Sequence, residues 1–195
     1  MSIRGLYGFR KNGIDKCTYN HFDSYPEVLG KRITDFYKNN SIAQLSHFFD
    51  DIVLVQEESK PRPEQIEVCK KLGYADINVS SKDGEDWYYL LRNLQGNFPE
   101  IQKIINAEMK IYMIDDINFI KNSLFCDYAY IINLDTRKLE FYVGHQRKLQ
   151  KGNRYGEETD RNGYYPCRLV KRFPLEKLSN EATDDIVQEM INAAN

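Results

Sequence analysis

Four side chains able to do chemistry stand within the first 23 residues: Ser2, Arg4, His21 and Asp23. A hydroxyl, a guanidinium, an imidazole and a carboxylate brought to one place can activate a nucleophile, hold an anion and move a proton. Removal of Met1 would leave Ser2 with a free α-amine, whose ordinary pKa of about 7.7–8.0 makes it a base near neutral pH. An N-terminal hydroxyl residue then carries nucleophile and base together, without a separate histidine. Asp23 would orient the ammonium form. Arg4 would orient Asp23, or grip a substrate carboxylate or phosphate with two N–H bonds. His21 would relay a proton or donate a hydrogen bond. These four are the catalytic candidates. The same constellation also suits a non-catalytic binder, in which Arg4 and His21 are joined by Tyr19, Asn20 and Tyr25 and by Arg147 and Arg154 from a distant polar loop.

The element that must position the four is a β-hairpin. Residues 2–10 and 15–23 read as strands around Asn12-Gly13, a dipeptide that supplies the two positive φ angles of a type I′ turn. A two-residue loop pairs Lys11 with Ile14, Gly8 with Cys17 and Leu6 with Tyr19. One further step predicts Arg4 opposite His21, then Ser2 opposite Asp23, all on one face at the open end. Gly5 and Gly8 leave room for another backbone or a ligand to approach.

Helices follow. Ser24 with Glu27 three residues on forms a capping-box pattern, with Pro26 in the first turn, and Ser41 with Gln44 forms a second. Ile52 to Val55 continues that second helix or makes a short strand. Residues 63–72 predict a helix stopped by Gly73, 74–84 a loop, and 87–94 and 98–105 two helical pieces. The strongest later β signal is 126–145. A tight loop over Asp135 to Lys138 predicts Leu134 opposite Leu139, Ile132 opposite Phe141 and Tyr130 opposite Val143, with the alternate polar residues facing water. The polar stretch 146–163 reads equally as functional loop or disordered segment. A strand over 164–173, suited to a sheet edge by Pro166, and a helix over 180–193 end the reading.

The whole, residues 1–195, is expected to be a single α+β domain: an antiparallel sheet begun by the N-terminal hairpin and packed with helices. Its 42% hydrophobic and 29% charged residues fit a globular chain, and a net charge of −2 without basic or acidic blocks points away from nucleic acid. No apolar run is long enough for a membrane and no signal peptide opens the chain, so a cytoplasmic protein with four reduced cysteines is expected. Cys17, Cys69, Cys126 and Cys167 form no metal-ligand spacing. Adjacent carboxylates at Asp50-Asp51 and Asp115-Asp116 point apart, and no glycine-rich phosphate loop is present. Neither metal nor cofactor is expected. The expected partner is a small-molecule ligand or substrate, an anionic one being suited to Arg4.

The segment RGLYGFRKNGIDKCTYNHFDSYPEVLG (4–30) resembles a family of uncharacterised phage and bacterial proteins that open with R-G-x-x-G-F-R…T-Y-N-H-F-D-S-Y-P-x-x-L-G. Residues 127–144 and 164–178 look like the same family further on. More distantly, the start is similar to N-terminal-nucleophile (Ntn) hydrolases of the bile-salt hydrolase and penicillin-acylase type, with Ser2 and Asp23 in the matching places. That likeness implies an Ntn-hydrolase-like fold, an amide hydrolase using Ser2, and an oxyanion-hole Asn at 133 or 118. The phage likeness implies instead an anti-defence binder that sequesters a nucleotide-derived signal.

Overall fold

The computed structural model describes residues 3–73, 86–95, 101, 103–105 and 108–195, without the side chains of 93 and 95. The expected loop over 74–84 and half of the expected helix over 98–105 lie outside the described residues. Strands β1 (Gly5–Lys11) and β2 (Ile14–Asn20) form the hairpin. Asn12 at φ 53° and Gly13 at φ 75° make the turn that their residue types predict. The register is the expected one from Lys11↔Ile14 through Gly8↔Cys17 to Leu6↔Tyr19, and it ends at Gly5↔Asn20.

A π-helical turn (Pro26–Gly30) leads into α1 (Lys31–Lys38). The expected capping box at Ser24 does not form, because its hydroxyl accepts from Asn20 Nδ2 at 2.8 Å. The box at Ser41 does form and opens α2 (Ile42–Asp51). Ile52–Val55 is a strand, β3, paired in parallel with β4 (Ile111–Ile114) in a small second sheet. Helix α3 (Pro63–Leu72) stops at Gly73, which takes φ 74°. Two single-turn helices, α4 (Trp87–Leu90) and α5 (Arg92–Gln95), and a 3-10 turn (Ile117–Lys121) complete the middle. Strands β5 (Tyr128–Asn133), β6 (Lys138–Val143) and β7 (Arg168–Pro174) precede α6 (Leu175–Asn180) and α7 (Thr183–Ala194).

The main sheet has five strands in the order β2-β1-β5-β6-β7. The class is α+β, and the hairpin begins the sheet as expected. The sheet is mixed, because β1 lies parallel to β5, with Gly5 beside Tyr128 and Phe9 beside Ile132. The β5–β6 pairing is displaced by two residues from the expected one: Ile132 faces Leu139 and Tyr130 faces Phe141. A shift of two keeps every side chain on its expected face, since strand side chains alternate with period two.

The first face is the main core. Tyr7, Phe9, Tyr130, Ile132, Leu139, Phe141 and Phe173 are at most 1% exposed and pack against helical residues such as Ile33, Phe36, Phe48, Ile186 and Met190. Phe9 meets Phe36 and Phe48 edge-on at 6.2 and 5.6 Å. Each such side chain contributes roughly 1.5–3 kcal/mol by leaving water.

The second face corrects an expectation. It is not left to water: Leu6, Cys17, Ala129, Ile131 and Tyr142 are buried there beneath Ile120, Cys126, Tyr155 and Cys167. The cover includes the polar stretch between β6 and β7, which is a strap held by its own hydrogen bonds. Gln150 exchanges two 3.0 Å bonds with the backbone of Leu169, and Asn153 Nδ2 donates to Cys167 O at 3.0 Å. No helix among the described residues is long and apolar enough to cross a membrane.

Candidate functional site

The polar groups of the second face gather at its two ends, with the buried apolar cluster between them. One end is the open end of the hairpin. Here the expected Arg4–His21 rung is not made. After Asn20 the chain turns: Asn20 Nδ2 donates to Phe22 O, Asp23 takes φ 54°, and Ser24 N returns to Ile3 O at 3.1 Å. Arg4 therefore pairs across to the other strand. Its N–H donates to Asp127 Oδ2 at 2.8 Å, and its carbonyl accepts from Asp127 N at 2.9 Å.

Three of the expected residues still come together. The Arg4 guanidinium reaches the Tyr19 hydroxyl, which lies 3.1 Å from His21 Nδ1. Burial pushes the Tyr19 hydroxyl up, and the charge and hydrogen bond of Arg4 oppose it. Arg4 also lies over the Phe125 ring at 4.8 Å, and His21 packs edge-on against Phe22 at 4.1 Å. Phe22 is 58% exposed and Phe125 41%.

The other expected residues are placed differently. Asp23 is exposed, accepts from the Tyr25 hydroxyl at 2.8 Å and forms no ion pair with Arg4. That hydrogen bond pushes the Tyr25 hydroxyl up. Asn20 is buried in the turn as a structural donor. Ser2 lies outside the described residues. The space at Gly5 and Gly8 is filled by the chain itself: an added Cβ would come within 2.6 Å of Tyr128 O at one and 2.2 Å of Lys16 O at the other. Asn118 is exposed and Asn133 lies at the other end of the face, bonded to Glu140.

Asp127 and His145 were missed from sequence. His145 Nε2 sits 2.8 Å from Asp127 Oδ1, and His145 is held in the left-handed region at φ 55°. The preceding Gly144 lets the chain pass against Cys126, whose carbonyl oxygen would lie 1.9 Å from an added Cβ. The Gly-His dipeptide was the available signal.

The second end lies about 20 Å away along β1, six residues at ~3.3 Å each. Arg10 pairs with Asp15 across the hairpin at 2.7 Å. Glu140, 2% exposed, accepts from Arg154 Nη1 and Nη2 at 3.2 and 2.7 Å, from Asn133 at 3.0 Å and from the Tyr142 hydroxyl at 2.9 Å. Arg154 also donates to the Tyr155 hydroxyl at 2.6 Å. Arg147, the other loop candidate, is not part of either end group: it stacks on Tyr164 at 3.6 Å and donates to Asn162 O.

Among the described residues no group of three or more His, Cys, Asp or Glu side chains can hold a metal ion. Comparison with protein families, with curated proteins and with solved structures gives no match.

Proposed function

We propose that the open end of the hairpin binds a small anionic molecule carrying a flat ring, of nucleotide type. The observation that carries this reading is Arg4, whose guanidinium lies on Phe125 and reaches Tyr19, in a setting where two phenyl rings stay open to solvent. A guanidinium fixed against aromatic faces offers its remaining N–H groups as a fork for an oxyanion. Exposed Phe22 and Phe125 give a ring something to stack on. His21 and His145 add imidazoles at the same end.

Binding is favoured over amide hydrolysis because Arg4 and His21 gather around Tyr19, a residue of the binding set alone. The hydrolase reading needs Ser2 oriented by Asp23, and Asp23 is turned to Tyr25.

Calorimetric titration with nucleoside monophosphates, beside inorganic phosphate and the uncharged nucleosides, tests the reading. The monophosphates are expected to bind best, and Arg4→Gln to weaken them by about tenfold or more. Equal binding by wild type and Arg4→Gln would sink it.

A further inference from the structure

The far end of the second face carries a feature that the reading above does not use. Two depressions, of about 410 and 230 Å³, open beside the Glu140–Arg154 pair, and both are lined by Arg154 and Arg172. The larger also exposes Arg10 and Lys138, and the smaller Lys151. The two depressions share Arg154 and Arg172 as a common wall, and together they are treated as the two lobes of a groove beside the strap, β6 and β7.

The charges there do not cancel. The lobes are lined by five cationic side chains, Arg10, Lys138, Lys151, Arg154 and Arg172, against two carboxylates, Asp135 and Glu140. Asp15, the partner of Arg10, adds one more. Both lining carboxylates are already engaged. Asp135 accepts from the turn amides of Asn12 and Gly13 at 2.6 and 3.0 Å. Glu140 takes the four bonds given above; burial pushes its carboxyl up, but the hydrogen bonds from Arg154 and Asn133 hold it below the usual range. It is a fixed anion that orients Arg154 and has no lone pair left to act as a base.

The remaining cations are less committed. Arg172 is 55% exposed, with Nε at 3.9 Å from Glu140. Lys138 and Lys151 make no ion pair among the described residues. Cations held in a concave site over a low-dielectric floor raise the local concentration of anions. Arginine forks favour planar or tetrahedral oxyanions.

We propose that this groove binds a compact oxyanion bearing at least two negative charges, such as a diphosphate, with one charged group in each lobe and Arg154 and Arg172 between them. The site is independent of the hairpin's open end.

Isothermal titration of the full-length protein with pyrophosphate, at low salt, tests the site. Saturable one-to-one binding is expected, about tenfold or more tighter than inorganic phosphate, and weakening as salt rises. Arg172→Gln is expected to weaken pyrophosphate by about tenfold or more. Lys151→Gln, an exposed position, is expected to weaken it in the same direction and keeps the test sound if the first variant melts early. Arg4→Gln, at the opposite end, is expected to bind pyrophosphate as the wild type does. Undiminished binding in both groove variants, loss in Arg4→Gln, or no saturable binding up to about 1 mM overturns the proposal.

Discussion

Arg154 closes on Glu140 with both terminal nitrogens, Nη1 3.2 Å from one carboxylate oxygen and Nη2 2.7 Å from the other. The pair joins the strap to the middle of β6. It turns a sheet face that the sequence pattern assigns to water into a second packed layer.

Removing one partner should therefore cost more than removing both. Arg154→Met leaves Glu140 charged and buried, a loss of about 3 kcal/mol, the low end for a broken buried pair because Arg154 is still 27% exposed. The double variant Arg154→Met with Glu140→Leu should recover much of that. Urea unfolding of the wild type, the two single variants and the double variant measures it, and additive losses would contradict the pairing.

Two hydrogen-bonded carboxylates, Glu140 and Asp116, pull stability in opposite directions with pH. Glu140 is held low in the folded state, so its contribution is present above the ordinary value near pH 4.3 and is lost as pH falls through the depressed one. Burial pushes Asp116 up despite its bonds from Tyr19 N and Thr18, so it costs stability as pH rises through its raised value. Melting curves between about pH 3 and 7 should show a shallower acid loss in Glu140→Gln. In Asp116→Asn they should show a smaller fall on the rising side.

Two glycines should respond very differently to alanine. At Gly144 the new Cβ meets Cys126 O at 1.9 Å, while at Gly73, with φ 74°, nothing lies within 4 Å. Gly73→Ala should cost about 1–2 kcal/mol for its left-handed backbone alone. Gly144→Ala should cost about 3 kcal/mol, because backbone has to move and His145 moves with it. Denaturant midpoints rank the two, and the reverse order would be inconsistent with the described packing.

The four thiols should be silent until the protein opens. Cys17, Cys69, Cys126 and Cys167 are all fully buried, and burial pushes the first and third far up. A thiol reagent added to native protein should react at the unfolding rate, and at once in denaturant. Prompt reaction of any one of them under native conditions would contradict its burial.

Local chemistry was legible where a short stretch decides the outcome. Asn12-Gly13 fixes its own turn, Ser41 and Gln44 cap α2 by themselves, and Gly73 ends α3. The site was half legible. Arg4, Tyr19 and His21 share a face because strand parity puts them there, but the rung beyond Gly5 was lost to Asp127, a partner no local pattern reveals. Glu140 and Asn133 alternate with apolar residues and so read as solvent-facing. What reverses that reading is an arginine fourteen residues further on, in a stretch with almost no apolar periodicity. The same distance effect hid the parallel β1–β5 pair.

That parallel pair has a consequence for how the protein is made. Arg4 meets Asp127 across 123 positions, so the ribbon, once synthesised, lacks the partner of its inner edge until β5 follows. Until then its inner-edge amides and carbonyls stay open to any extended segment that drifts by, a hazard for unpaired strands. Synthesis that stalls before β5 would release a hairpin with half of its hydrogen bonding unmet, so the nascent chain is most exposed to aggregation and to chaperones while the helices between are being added.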